Sequence, residues 1–122
     1  MKSAGKSQFQ AAELDAVVAK AKAQSDGYAA EILRSELLSV GLYTLPAGGL
    51  DDQTPHDEDE VYYTVRGRSM FAVDGREHTV RPGTLLFVPA RAEHRFHDIE
   101  DELVLIVFWA PPEGTGAATG NQ

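Results

Sequence analysis

Met70-Phe71-Ala72-Val73-Asp74-Gly75-Arg76-Glu77-His78-Thr79-Val80 consists of two short runs of strand formers joined by an Asp-Gly pair. Asp-Gly suits the left-handed dihedrals of a two-residue hairpin turn, so the segment predicts an antiparallel pair, 69–73 with 76–80. Outward from this hairpin, β-branched and aromatic residues recur in runs bounded by Gly and Pro. They predict further strands near 29–35, 37–45, 60–66, 84–88, 94–99 and 102–109. The run Leu103-Val104-Leu105-Ile106-Val107-Phe108-Trp109 is apolar on both faces. Such a strand belongs in the middle of a sheet, covered from both sides. Short strands at this spacing suit a sandwich or a small barrel, and the pattern alone does not choose between them.

The ends read differently. Residues 1–6 read as a frayed end, and Ser7-Gln8-Phe9-Gln10 then fits a capping box. Glu13 and Asp15 lie early and Lys20 and Lys22 late, each where the helix dipole favours its sign. A helix from about Gln8 to Gln24 is expected, with Phe9, Leu14, Val17, Val18 and Ala21 as its apolar stripe and Gly27 as its stop. From Pro111 onward the chain carries nothing to bury, so a disordered tail is expected. The resulting division is an extension and helix at 1–27, a β domain at 28–110 and a tail at 111–122.

Composition narrows the function. The chain has 122 residues, 43% of them hydrophobic and 25% charged, as in an ordinary single globular domain. Its formal net charge of −8 repels phosphate backbones and anionic lipid, which disfavours nucleic acid and membrane surfaces as partners. No cysteine is present, so disulfides, thiolate metal sites and cysteine nucleophiles are excluded and any metal must use His and carboxylates. No apolar run approaches the roughly 18 residues of a membrane span, and the N-terminus lacks the apolar core of a signal peptide. The cytoplasm is the expected compartment. There is also no Ser-His-Asp arrangement, phosphate loop or dinucleotide glycine pattern.

The histidines are His56, His78, His94 and His97. In an extended chain Thr54, His56, Glu58, Glu60 and Tyr62 would share a face, which gathers an imidazole and two carboxylates. His94 opens a strand after a Pro-containing turn; Phe96 shares its face and His97 points away.

At these two segments the sequence resembles the cupin superfamily. Its first motif is Gly, five residues, His-x-His, three or four residues, Glu, six residues, Gly. Gly48, His56, Glu60 and Gly67 match it in register, with Thr54 at the first His. Its second motif is Gly, five residues, Pro-x-Gly, two residues, His, three residues, Asn. Gly83, Pro89 and His94 match, with Arg91 at the internal Gly and Asp98 at the final Asn. The resemblance implies an all-β fold, an antiparallel jelly-roll β-barrel with the N-terminal α-helix appended. It also implies a divalent metal inside, held by His56, Glu60 and His94, with Thr54 or Glu58 as a possible additional ligand. Two imidazoles and a carboxylate suit Fe, Mn, Ni, Zn or Co and leave open positions. The activity implied is a metal-dependent dioxygenase, isomerase or lyase acting on a small organic molecule. The alternative is a non-catalytic small-ligand binder with a degenerate metal site.

Other residues have plainer readings. Asp51, Asp52, Asp57 and Asp59 read as a solvated acidic loop, and Arg66 and Arg81 as exposed strand ends. His78 and His97 lie off the expected site. Tyr62, Phe71, Phe87, Phe96 and Trp109 read as core, with Tyr62 and Phe96 expected to line the pocket. Val61, Tyr63 and Val65 would form an outward apolar stripe that needs a cover, the N-terminal helix or a second subunit, and a homodimer is expected.

Overall fold

The computed structural model describes residues 8–115. A helix, α1 (Leu14–Lys22), precedes six strands: β1 (Tyr28–Arg34), β2 (Ser39–Leu45), β3 (Asp59–Val73), β4 (Arg76–Val80), β5 (Leu85–Val88) and β6 (His94–Ala110). All pairings are antiparallel, in the order β1-β2-β6-β3-β4, with β5 on the free side of β3. The hairpin forms as expected: Val73 pairs with Arg76, and both Asp74 and Gly75 have positive φ.

Two pairs of expected strands prove to be single long strands. Segments 60–66 and 69–73 are both β3, and 94–99 and 102–109 are both β6. Between Thr64 and Met70 the β3–β6 register shifts three times, and these bulges bend the pair without ending it. Because both strands bend together, their outer halves build one wall with β2 and β5, and their other halves build a second wall with β4. Tyr62, Leu105 and Val107 from the first wall meet Phe71, Phe96 and Val80 from the second in one core. This is the jelly-roll arrangement.

β6 lies between β2 and β3, as its two apolar faces require. Leu103, Leu105, Val107 and Trp109 point into the barrel, whereas Val104 packs outward with Leu42, Ala29 and the Val17, Val18 and Ala21 stripe of α1. The helix is shorter than its sequence pattern. Residues 8–13 are not helical, Glu13 occupies the N-cap without a side-chain bond, and Phe9 is 93% exposed. The cause is local competition. The Gln10 side-chain amide accepts the Arg34 N–H at 2.8 Å and donates to the Arg34 carbonyl, imitating a strand neighbour on β1. Ser7, the expected cap, lies outside the described residues.

The tail departs from its reading as well. Pro112 is buried, the Glu113 carboxylate accepts the Tyr28 hydroxyl at 2.7 Å, and the Glu113 N–H donates to Ser39 Oγ at 2.9 Å. Residues 111–115 therefore strap across the ends of β1 and β2, and the rest of the expected disordered tail lies outside the described residues. Phe87, read as core, is 63% exposed on the outer face of β5.

Candidate metal centre

Glu60 enters the barrel because β3 alternates: Glu60, Tyr62 and Thr64 are buried and Tyr63 is exposed. His94 begins β6 and is buried beside it. His56 precedes β3 in a loop whose backbone is tied to the second motif, since the Arg91 N–H donates to the His56 carbonyl at 2.6 Å. Arg91 keeps the positive φ (68°) that the family's glycine would adopt without strain. Asp59 adds a second tie, accepting the Ala90 N–H at 2.9 Å.

The result is that His56, Glu60 and His94 present ligand atoms that all lie within 4.8 Å of one another. His94 is aimed from behind. Its Nδ1–H donates to the Ala92 carbonyl at 2.8 Å, so a neutral ring turns a lone pair at Nε2 toward Glu60 Oε1, 3.0 Å away. Two acceptors at that distance need a cation between or beside them, a proton or a metal ion. Glu60 Oε2 is buried and has no hydrogen-bond partner among the described residues. The donor set and this orphaned oxygen fit a divalent ion. Burial alone would depress the His94 pKa; the hydrogen bonds to Glu60 and to the Ala92 carbonyl, with the charges of Glu60 and Asp51, outweigh it and hold the pKa above the ordinary value.

Neither of the expected wall residues lines the cavity that opens beside His94. The Tyr62 hydroxyl stands 3.3 Å from His94 Nε2 and 3.2 Å from Gln53 Oε1. Burial first, and the Glu60 charge second, push its pKa well up, so the phenol stays protonated. The Phe96 ring packs edge-on against Tyr62 at 5.0 Å inside the core, while a separate cavity of about 600 Å³ runs along Gly48–Asp51 and Arg95–Glu100. The Trp109 ring meets His56 edge-on at 4.5 Å.

The two possible additional ligands are placed otherwise than extended-chain parity implies, because residues 53–58 are not a strand. Thr54 is exposed. Glu58 is buried and accepts the Gly114 N–H at 3.1 Å. His78 and His97 lie off the site: His78 is exposed, and His97 bonds Glu77 at 2.7 Å and Asp98 at 3.1 Å.

Two residues the sequence reading passed over belong here. Asp51 is buried, not solvated; its Oδ2 accepts the Phe96 N–H at 2.8 Å and the Gln53 amide at 2.7 Å. The loop folds back over the start of β6, where an edge N–H needs an acceptor. Gln53 in turn faces both Tyr62 and His56. A cavity of about 400 Å³ opens onto this corner, lined by Asp51, Gln53, Thr54, His94 and the β3–β4 turn. Glu60 and His56 are not among its lining residues.

Residues 41–111 match the profile of a family described as the cupin domain. The chain is 42% identical over 92 residues to an uncharacterized protein of Streptomyces coelicolor, covering 75% of this chain and 88% of that one. It is 35% identical over 57 residues to the acireductone dioxygenase of Bacillus thuringiensis, covering 43% of this chain and 34% of that enzyme, about a third of its length. Among solved structures, TT1209 from Thermus thermophilus superposes with a TM-score of 0.69 at 24% identity, over 85% of this chain and 99% of that one. An RmlC-like cupin with a double-stranded β-helix fold from Methanocaldococcus jannaschii gives 0.63 at 18% identity, over 76% and 84%.

Proposed function

This chain belongs to the cupin family, and from that premise we propose that it holds a divalent first-row metal on His56, Glu60 and His94 and binds a small organic molecule beside it. The observation that carries this reading is the buried pair of acceptors, His94 Nε2 and Glu60 Oε1 at 3.0 Å, next to Glu60 Oε2, which has no hydrogen-bond partner among the described residues. When bound, Fe, Mn, Ni, Zn or Co would supply Lewis acidity toward an oxygen donor of the substrate. The chain's own contribution is orientation. The Ala92 carbonyl fixes the His94 tautomer, and the protonated Tyr62 phenol, buried behind His94, donates to Gln53 Oε1. The cavity is bordered by Asp51, Asp52, Asp74 and Glu93 against a single arginine, Arg95, which favours a neutral or cationic ligand over an anion. Oxidation, isomerisation and lyase chemistry all suit such a site, and the stretch shared with acireductone dioxygenases supports the oxidative option. The exposure of Thr54, where the family places a histidine, supports a second reading, a binder without catalysis.

Metal content tests the reading. Protein purified without chelator is expected to carry a stoichiometric first-row metal by mass spectrometry; protein that neither retains these metals nor takes them up when they are added at millimolar concentration would remove it. The pH dependence has a definite sign. A ligating imidazole must be neutral, so affinity falls as pH drops through the His94 pKa, which lies above the ordinary value of about 6.5. In the metal-free protein the sign is opposite. The raised pKa contributes stability that is fully present below about 6.5 and is lost as pH rises through the folded-state value. Added Zn²⁺ should therefore raise the Tm more at pH 8 than at pH 6. An equal shift at both would mean that His94 does not ligate.

The same reading includes a homodimer and the cytoplasm. Across β5, β3 and β6, Phe87 pairs with Val61 and Val61 with Phe108, while Leu85 pairs with Tyr63. Helix α1 covers Val65 and Ile106 at one end of this outer face but leaves Leu85 67% and Phe108 40% exposed. A contiguous apolar strip of this kind supports self-association. Light scattering at micromolar concentration should give twice the chain mass, and a Phe87→Lys, Leu85→Lys variant half of that. No helix among the described residues is long and apolar enough to cross a membrane.

A further inference from the structure

We propose that Gln53 supplies the fourth protein donor of the metal centre through its amide oxygen, in place of the histidine missing at position 54; the inference rests on the metal-site reading above. Three observations lead to it. The orientation of the Gln53 amide is chemically forced, because Asp51 Oδ2, which already accepts the Phe96 N–H, can accept from the Gln53 NH₂ at 2.7 Å but cannot donate to a carbonyl. The amide oxygen is thereby turned the other way. There it lies 3.4 Å from His56 Nε2 and 3.2 Å from the Tyr62 hydroxyl, which is itself 3.3 Å from His94 Nε2. The oxygen thus joins the ring of polar atoms around His56, Glu60 and His94, and it comes from the cavity side, since Gln53 and His94 both line that cavity.

The competing donors are already placed. Thr54 borders the same cavity but is exposed to solvent and has no bond to the centre's polar ring, and Glu58 holds the Gly114 N–H. A carbonyl oxygen is a neutral, hard donor, so the centre keeps the charge of a two-His-one-carboxylate site while gaining a fourth protein oxygen or nitrogen. Asp51 is then a positioning residue, acting on the centre only through the amide it orients.

The experiment uses the full chain stripped of metal and loaded with Co²⁺ or Cu²⁺. Gln53→Ala is expected to weaken Co²⁺ binding by more than the ~10–100-fold typical of lost supporting contacts and to change its visible absorption bands. Gln53→His places a nitrogen where the oxygen stood, so the Cu²⁺ electron paramagnetic resonance spectrum should gain coupling to one further imidazole nitrogen. Thr54→His, on an exposed side chain, should leave both spectra unchanged. If Gln53→Ala retains wild-type affinity and bands while His94→Ala loses binding, the site stands and Gln53 is not a ligand. If Gln53→His adds no nitrogen coupling, or Thr54→His does, the assignment is likewise overturned. Wild-type protein that binds neither ion overturns the inference together with the reading beneath it.

Discussion

Substituting His94 by alanine is expected to abolish stoichiometric metal, whereas His97→Ala and His78→Ala leave it intact. His94 is one of only two imidazoles among the grouped ligands, and it comes from the second motif, whereas His56 and Glu60 come from the first. Loss of a direct ligand should exceed the ~10–100-fold cost of losing a supporting hydrogen bond. The metal-free protein suffers too. Removing the imidazole strands the buried Glu60 carboxylate, whose Oε2 has no hydrogen-bond partner among the described residues, and leaving a buried charge without its partner costs on the order of 3–5 kcal/mol. Two readouts separate the effects. Thermal melts without metal report the stranded charge, which Glu60→Gln should relieve in the His94→Ala background. Added Zn²⁺ raises the wild-type Tm by mass action and should leave the Tm of His94→Ala where it was. A metal-dependent rise in His94→Ala equal to that of wild type would mean that the two motifs do not converge on one ion.

The features legible in the sequence are those set by short-range chemistry. The Asp74-Gly75 hairpin needs only two positive φ values, and the inward parity of Glu60, Tyr62 and Thr64 needs only a regular strand. Spacing placed His56 and His94 together because both flank one pair of motifs whose backbones bond directly, Arg91 N–H to His56 carbonyl. What escaped depends on partners distant in the chain. β3 and β6 read as four strands because the bulges between Thr64 and Met70 break the local period, and only pairing across the barrel keeps each strand continuous. Asp51 and Gln53 sit in an aperiodic, acid-rich loop, where polarity predicts solvent; Asp51 is buried because it caps an N–H at the start of β6, and Gln53 is half-buried against it. Strand parity failed at Thr54 for the same reason, since a loop does not alternate. The helix start was misplaced because nothing near Gln10 announces that its amide is taken by Arg34.

Gly67→Ala is expected to be among the most destabilising single substitutions in the barrel. Gly67 has φ +104°, and a Cβ there would lie 2.4 Å from the Glu102 carbonyl oxygen and 2.7 Å from Leu103 Cα. Both are backbone atoms of β6 at the shared bend, so relief requires moving a strand, not rotating a side chain. Strained backbone costs roughly 1–3 kcal/mol, and overpacking adds about 1–3 kcal/mol. Together, about 2–6 kcal/mol, these are a large share of the stability of a marginal domain at the low end of about 5–15 kcal/mol. Gly75→Ala is the control, because Gly75 also has positive φ (80°) but nothing lies within 4 Å of an added Cβ. It should lose only the conformational part, about 1 kcal/mol. Urea midpoints for the two variants should differ widely, and equal midpoints would show that the close approach at Gly67 relaxes freely. The bend also bears on chemistry. Glu60 stands on one side of it in β3 and His94 on the far half of β6, so the 3.0 Å between them depends on both strands turning together. Any Gly67→Ala protein that still folds should therefore bind metal more weakly, even though residue 67 touches none of the ligands.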